Sequence, residues 1–247
     1  MNRYLTALPL AFLGLLSMFT ASFAQAADQG AERVRSALQM RFPDAQIGMP
    51  HPSSIAGYYE VNLGSQVLYV SGNGRYLIVG DLIDLKNDAN VSEARRADLR
   101  RQLLGQIDPG SLIVFGSAKP RRVITAFTNI HCQYCRNLHQ SLKTVVAQGD
   151  VQVRYVLLPD GRKGAASYAE AESVWCAPDR ARALEKAFSG QKLPTRNCKA
   201  PMTDYLVLAR KLNIQGLPSM VLDNGSLLTG FMSDGQIRQW LQISPAP

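Results

Sequence analysis

Apolar and polar positions along the chain follow two rhythms, one of helices and one of strands. Between residues 31 and 40, Val34, Ala37 and Leu38 recur at three- to four-residue intervals, which predicts a helix. Runs rich in Val, Ile, Leu and Tyr follow at 58–63, 66–70 and 75–81, punctuated by Gly64-Ser65 and by Ser71-Gly72-Asn73-Gly74. They predict strands, and Asn-Gly between two of them predicts a hairpin. Residues 90–104 return to a helical pattern, with Asn90 as N-cap, Glu93 at the capping-box position and Gly105 as the stop before Asp108-Pro109. Such a helix spans roughly 20 Å at 1.5 Å per residue. Its residues Glu93, Arg95, Arg96, Asp98, Arg100 and Arg101 suit an exposed linker between two bodies.

From about residue 111 strand and helix alternate. A strand at 123–127, a helix at 136–146 and a strand at 151–158 make a β-α-β unit, for which a parallel pair and a right-handed crossover are expected. Helical segments follow at 165–175, 178–188 and 202–212. The chain closes with strands at 219–222 and 226–229 around an Asn224-Gly225 turn, then a helix at 234–241. There is no internal repeat and no low-complexity segment. The first unit, 27–88, is too small to bury a generous core alone, and partnering through a strand edge is one remedy.

Residues 1–26 read differently from the rest. Arg3 supplies a positive n-region, 5–19 an apolar h-region, and Ala24-Gln25-Ala26 the small-x-small pattern of a signal-peptidase site. An uncleaved anchor would need a longer apolar stretch. Nothing later approaches the roughly 20 residues that cross a bilayer. The chain is expected to be exported. Of its 247 residues, 46% are hydrophobic and 19% charged, an ordinary globular balance that excludes a disordered chain, a collagen-like repeat and a Cys-dense mini-protein. The formal charge of +8 includes Arg95, Arg96, Arg100 and Arg101 and the cluster Lys119, Arg121 and Arg122. These are dispersed without interleaved aromatics, so a solvated basic surface is expected and not a nucleic-acid site.

Four cysteines, Cys132, Cys135, Cys176 and Cys198, allow three complete pairings. Cys132-Gln133-Tyr134-Cys135 lies between a predicted strand and a predicted helix, the context a thioredoxin-like redox site requires. The free N–H groups and positive dipole end of a helix N-terminus favour a thiolate at Cys132. On the first helical turn Cys135 can reach back to that sulfur, so Cys132 reads as nucleophile and Cys135 as resolver. The competing reading, half of a zinc site, needs two more ligands at similar spacing. Cys176 and Cys198 lie apart and the three histidines form no second pair. No metal and no cofactor are expected.

Pairing Cys176 with Cys198 would close a loop around the 178–188 helix and contribute roughly 3.5 kcal/mol, less any strain. This pair reads as a structural staple, since nothing places both sulfurs on one exposed turn. His131 precedes Cys132; a protonated ring there would favour the thiolate, while a solvent-exposed ring would have a modest effect. His139 stands two turns beyond Cys132 and reads as packing or surface. Gly216-Leu217-Pro218 opens a strand where proline donates no ladder hydrogen bond. Beside a Cys-x-x-Cys turn that proline is expected to be cis, with its neighbouring backbone free to pair with an extended peptide.

Phe127 through His139, Val153-Arg154-Tyr155, Val174-Trp175-Cys176-Ala177, Gly216-Leu217-Pro218 and Asp223-Asn224-Gly225 together resemble the bacterial periplasmic disulfide isomerases of the DsbC/DsbG family. The resemblance implies a signal peptide (1–26), an α+β, cystatin-like N-terminal dimerisation domain (27–88), a helical linker (89–107) and a C-terminal α/β thioredoxin-like domain with a helical insertion (108–247). It also implies a V-shaped homodimer joined through the N-terminal domains. By the same resemblance Cys132 is the nucleophile, Cys135 the resolving cysteine, Cys176 and Cys198 the structural disulfide and Pro218 the cis-proline, with Leu217, Gln133 and Tyr134 beside the substrate. Two positions depart from the family pattern. Leu217 stands where the family commonly has Thr, and Gln133 where the isomerases usually carry Gly and the DsbG branch Pro. Both positions tune thiolate stability and partner choice.

The function expected is isomerisation of non-native disulfides in misfolded exported proteins, in the periplasm, with Cys132 kept reduced by a membrane reductant of the DsbD type. Three alternatives stand beside it: a DsbG-like reductase of single sulfenylated cysteines, a chaperone-like binder of unfolded chains, and a metal-binding protein.

Overall fold

The computed structural model describes residues 17–161 and 163–243. The n-region and most of the apolar stretch of the expected export signal, up to residue 16, lie outside the described residues. The chain divides into two compact units, the first made of the residues up to Leu63 and of Val67–Gly80, the second of Gly64–Gln66 and the residues from Asp81.

The first unit has one helix, α1 (Ser17–Arg41), and a sheet of four strands, β1 (His51–Pro52), β2 (Tyr58–Leu63), β3 (Gln66–Ser71) and β4 (Leu77–Ile78), hydrogen-bonded in that order. α1 starts well before the helix expected at 31–40, because the Ala-rich stretch preceding it favours helix as well. Its core is small. Val34 and Leu38 from α1 meet Val61 and Val70 from the sheet, with Phe42, Ile47 and Tyr59 packed around them. The Asn73-Gly74 turn is present, with Gly74 at φ 72, a backbone conformation open to glycine. The strand expected at 75–81 is only two residues long: β4 pairs with β3 through Val70–Leu77 and Tyr69–Ile78 and has no neighbour on its other side among the described residues. That edge carries Leu77, Ile78 and Val79, all exposed, Val79 at 72%.

The second unit opens with a ribbon absent from the sequence reading, β5 (Ile83–Asp84) paired with β6 (Ala89–Asn90). Asp84 turns it by accepting the N–H groups of Lys86 and Asn87. In α2 (Val91–Gly105), Asn90 caps the helix as expected, its side chain accepting the Glu93 N–H at 2.8 Å. The expected exposed linker is anchored along one side. Arg100 is 4% exposed and donates to Glu93 at 2.8 Å and to the Gly225 carbonyl at 2.7 Å. At Gly225 a Cβ would collide with the Ala97 backbone, so α2 lies directly against this turn.

The remaining elements are β7 (Ile113–Gly116), β8 (Arg122–Thr128), α3 (Gln133–Val146), β9 (Val151–Leu157), α4 (Ala166–Trp175), α5 (Arg180–Phe188), α6 (Met202–Lys211), β10 (Ser219–Leu222), β11 (Leu227–Thr229) and α7 (Asp234–Ile243). Their sheet has the order β11-β10-β8-β9-β7. β8 and β9 are parallel across α3, as the β-α-β reading requires, and β10 and β11 are antiparallel. β7 was not anticipated; it pairs antiparallel with β9. Both faces of the sheet are covered. Ile124, Phe127, Val153, Val156, Met220 and Val221 are buried, and the helices supply Leu138, Leu142, Val174, Leu184, Met202 and Ile237. No helix among the described residues is long and apolar enough to cross a membrane.

Candidate active site

The sheet topology decides which residues meet. β10 runs antiparallel to β8 with Ser219 opposite Phe127, so the chain entering β10 and the chain leaving β8 lie at the same sheet end. The first carries Leu217 and Pro218, the second Cys132. The Cys132 sulfur stands 3.9 Å from the Leu217 carbonyl oxygen, and the Leu217–Pro218 peptide is cis. The Pro218 carbonyl accepts the Gly230 N–H at 2.8 Å, and Ser219 Oγ donates to the Gly216 carbonyl at 2.7 Å. These bonds fix the loop facing the cysteines.

Between β8 and α3 the chain is organised by Asn129, a residue the sequence reading missed. Buried at 4% exposure, it donates Nδ2 to the Leu158 carbonyl at 2.9 Å and accepts the His131 N–H at 2.7 Å. Its own carbonyl accepts the Cys132 N–H at 3.2 Å. The only trace in the sequence was a polar residue directly after a buried strand.

Cys132 is the N-cap of α3, and its sulfur accepts the Cys135 N–H at 3.2 Å. One of the orphan donors of the helix terminus therefore points at that sulfur, at the end of the helix where negative charge is favoured. Cys132 is partly exposed and Cys135 is buried; neither is in a disulfide. Burial, reinforced by the neighbouring Cys132 sulfur, pushes the Cys135 thiol up to about 12, so it is protonated at neutral pH. The two sulfurs share one helical turn and differ in solvent access.

Behind Cys135, one turn along the same buried face, is His139, packed against Phe115 and Phe188 with ring centroids 5.3 and 4.8 Å away. Its Nδ1 is 2.8 Å from the Tyr155 hydroxyl, and its Nε2 has no partner among the described residues. Burial, then the positive charge of Lys143, pushes the imidazole down to about 4, and burial pushes the Tyr155 phenol up. Of the two expectations for His139, packing is the one realised.

On the solvent side, Gln133 and Tyr134 sit on the first turn of α3, Tyr134 at 65% exposure. His131 is exposed, with Nε2 2.8 Å from Glu170 Oε2 on α4, a partner that linear spacing gave no means of finding. Cys176 and Cys198 form a disulfide with their Cα atoms 5.8 Å apart. Among the described residues no group of three or more His, Cys, Asp and Glu side chains is placed to hold a metal ion.

Comparison with known proteins finds a match for both parts of the chain. Residues 22–93 match the disulfide bond isomerase protein N-terminal domain, and residues 111–243 match a thioredoxin-like domain. The chain is 31% identical to the thiol:disulfide interchange protein DsbC of Escherichia coli (strain K12), over 92% of either sequence. The chain belongs to the DsbC family. Its likeness to the DsbC of Salmonella typhimurium (strain LT2) is 33% identity over 76% of this chain and 78% of that one. Among solved structures, a disulfide interchange protein from Neisseria gonorrhoeae superimposes with a TM-score of 0.50 at 20% identity, covering 57% of this chain and all of that one. That likeness concerns the fold. As a DsbC-family member the chain is a thiol:disulfide oxidoreductase and isomerase with a thioredoxin-like domain.

Proposed function

We propose that Cys132 is the nucleophile of disulfide isomerisation and Cys135 its resolver. The Cys132 thiolate attacks one sulfur of a non-native substrate disulfide; the Cys132–substrate bond forms, the substrate S–S bond breaks, and one substrate thiolate leaves. A different substrate thiolate then attacks the mixed disulfide, makes the new substrate disulfide and returns Cys132 as thiolate. When no substrate thiol arrives, Cys135 loses its proton and attacks the Cys132 sulfur; the Cys132–Cys135 disulfide forms, the Cys132–substrate bond breaks, and the substrate leaves as a thiolate. The observation that carries this reading is the Cys135 N–H held on the Cys132 sulfur at a helix N-terminus, across from Leu217. Leu217, Pro218, Gln133 and Tyr134 form the rim against which the substrate chain lies.

The setting follows from the same chemistry. An isomerase needs Cys132 reduced, so an exported form in the periplasm requires a membrane reductant, of the DsbD type. The first unit, with its small apolar cluster of Val34, Leu38, Val61 and Val70 and its exposed apolar β4 edge, supports a homodimer paired through that unit. Misfolded, disulfide-containing exported proteins are the substrates.

The test is reactivation of a scrambled multi-disulfide protein by the reduced protein, beside Cys132→Ala. Reactivation that vanishes in Cys132→Ala supports the assignment; activity surviving in that variant overturns it. Reduction of simple disulfides without reactivation points instead to a reductase of single oxidised cysteines, with Leu217 and Gln133 as the residues to revert.

A further inference from the structure

Beside the turn that carries Cys132 is a cavity of about 410 Å³, lined by neither Leu217 nor Pro218, that the proposed chemistry leaves unused. One wall is the start of α3, with Ile130, His131 and Arg136; the opposite wall is α4 and the loop after α5, with Glu170, Ser173 and Lys192. His131 and Arg136 stand one and four positions from Cys132 in the chain, so the cavity borders the turn that carries the nucleophile, where residues flanking a cysteine joined to its sulfur can reach.

The lining is biased toward cations. Arg136 uses Nε to donate to the Ile130 carbonyl at 3.2 Å, and its two terminal nitrogens make no further hydrogen bond among the described residues. Lys192 makes none there either. Glu170 is the one carboxylate of the lining, and it is engaged by His131 at 2.8 Å. A carboxylate is therefore already held at this rim by a residue adjacent to the nucleophile, while a guanidinium fork stands open beside it. Planar donors of that kind match carboxylate oxygens. The loop wall is held by the Cys176–Cys198 disulfide, which ties its far end to the end of α4.

We infer that this cavity is a substrate subsite that selects acidic side chains flanking the cysteine under attack, with Arg136 and Lys192 as specificity-determining residues and Glu170 as a competing internal carboxylate. The inference rests on the proposed role of Cys132 and names a substrate class for it: disulfides whose cysteine has Glu or Asp close by in sequence.

Two synthetic peptides test it, each bearing one cysteine as its 2-pyridyl disulfide, flanked in one by Glu and in the other by Gln. Attack by Cys132 on the peptide sulfur forms the Cys132–peptide disulfide, breaks the peptide–pyridyl bond and releases 2-thiopyridone, a neutral leaving group read by absorbance. Rates are divided by those with 2-mercaptoethanol, which removes the intrinsic reactivity of each peptide. The reduced protein reacts about fivefold faster with the Glu peptide, the effect of two partly exposed charge pairs. The preference disappears in Arg136→Gln/Lys192→Gln and widens in Glu170→Gln. Because the readout is a ratio, any change of Cys132 reactivity common to both peptides cancels. Equal rates in the unmodified protein, or a preference that persists in the double variant, overturn the inference. Failure of both peptides to react overturns the role of Cys132 itself and the subsite with it.

Discussion

Two pairs of cysteines, in one domain and of one residue type, are built for opposite purposes, and the ends of helices distinguish them. Cys132 caps the N-terminus of α3 and receives a backbone N–H on its sulfur. Cys176 caps the C-terminus of α4, where the helix presents carbonyl oxygens and the negative end of its dipole. A charged sulfur is favoured at the first place and opposed at the second. The partners differ in the same sense: Cys135 is three residues away on the same turn, while Cys198 is 22 residues away and bonded. A close pair at a helix N-terminus suits repeated exchange; a distant pair at a C-terminus suits permanence.

The largest effect that could break this contrast is loss of the permanent pair. Replacing Cys176 and Cys198 together by Ser removes a closed loop worth about 3.5 kcal/mol by chain entropy. Denaturant midpoints should fall accordingly, while the Cys132 reaction with a simple disulfide, measured where the variant is folded, retains its rate. Unchanged stability would show that the Cys176–Cys198 bond is no staple, and a folded variant whose Cys132 no longer reacts would show that the two pairs are not separable.

Much of this contrast was legible in the sequence. The strand and helix around Cys132 were marked by period and by the Cys-x-x-Cys spacing, and Gly216-Leu217-Pro218 marked the facing loop. β8, β9, β10 and α3 lie where their patterns placed them because each carries a long, fully buried apolar face. What escaped notice depends on contacts distant in sequence. β7 is four residues long and shows itself only by pairing with β9. The Glu170 partner of His131 comes from a helix 39 positions later. Arg100 looked like one more surface charge on an exposed linker, and only the approach of Gly225 to α2 buries it.

A second prediction concerns what lies beneath each pair. The reactive pair rests on a buried imidazole, His139, held down to about 4 against an ordinary value of 6.5, chiefly by burial. Between those two pH values the unfolded chain binds a proton at this position that the folded chain does not. Stability must therefore rise with pH across that window, and be lost as pH falls from 6.5 toward 4. The cost is absent at neutral pH and grows to about 3 kcal/mol by pH 4. In His139→Phe, which keeps an aromatic ring among Phe115, Tyr155 and Phe188, the dependence of unfolding free energy on pH should flatten between 4 and 6.5. An unchanged slope would place the acid sensitivity elsewhere.

The smallest effect probes the loop that faces the reactive pair, at Leu217. The Leu217 carbonyl stands 3.9 Å from the Cys132 sulfur and offers that sulfur no donor, so a negative charge there is served from the α3 side, by the Cys135 N–H and the neighbouring Cys135 thiol. Leu217→Thr adds a hydroxyl to the loop at the cost of apolar surface that packs on the core. A partly exposed hydroxyl donating to a thiolate is worth about 1 kcal/mol, and it acts only on the reduced state, since the disulfide carries no charge. The thiol–disulfide equilibrium with glutathione should therefore move about fivefold toward the reduced form, with the same equilibrium for Cys176 and Cys198 unmoved. A shift toward the oxidised form would mean that the leucine itself, by excluding water from the sulfur, is what tunes the pair.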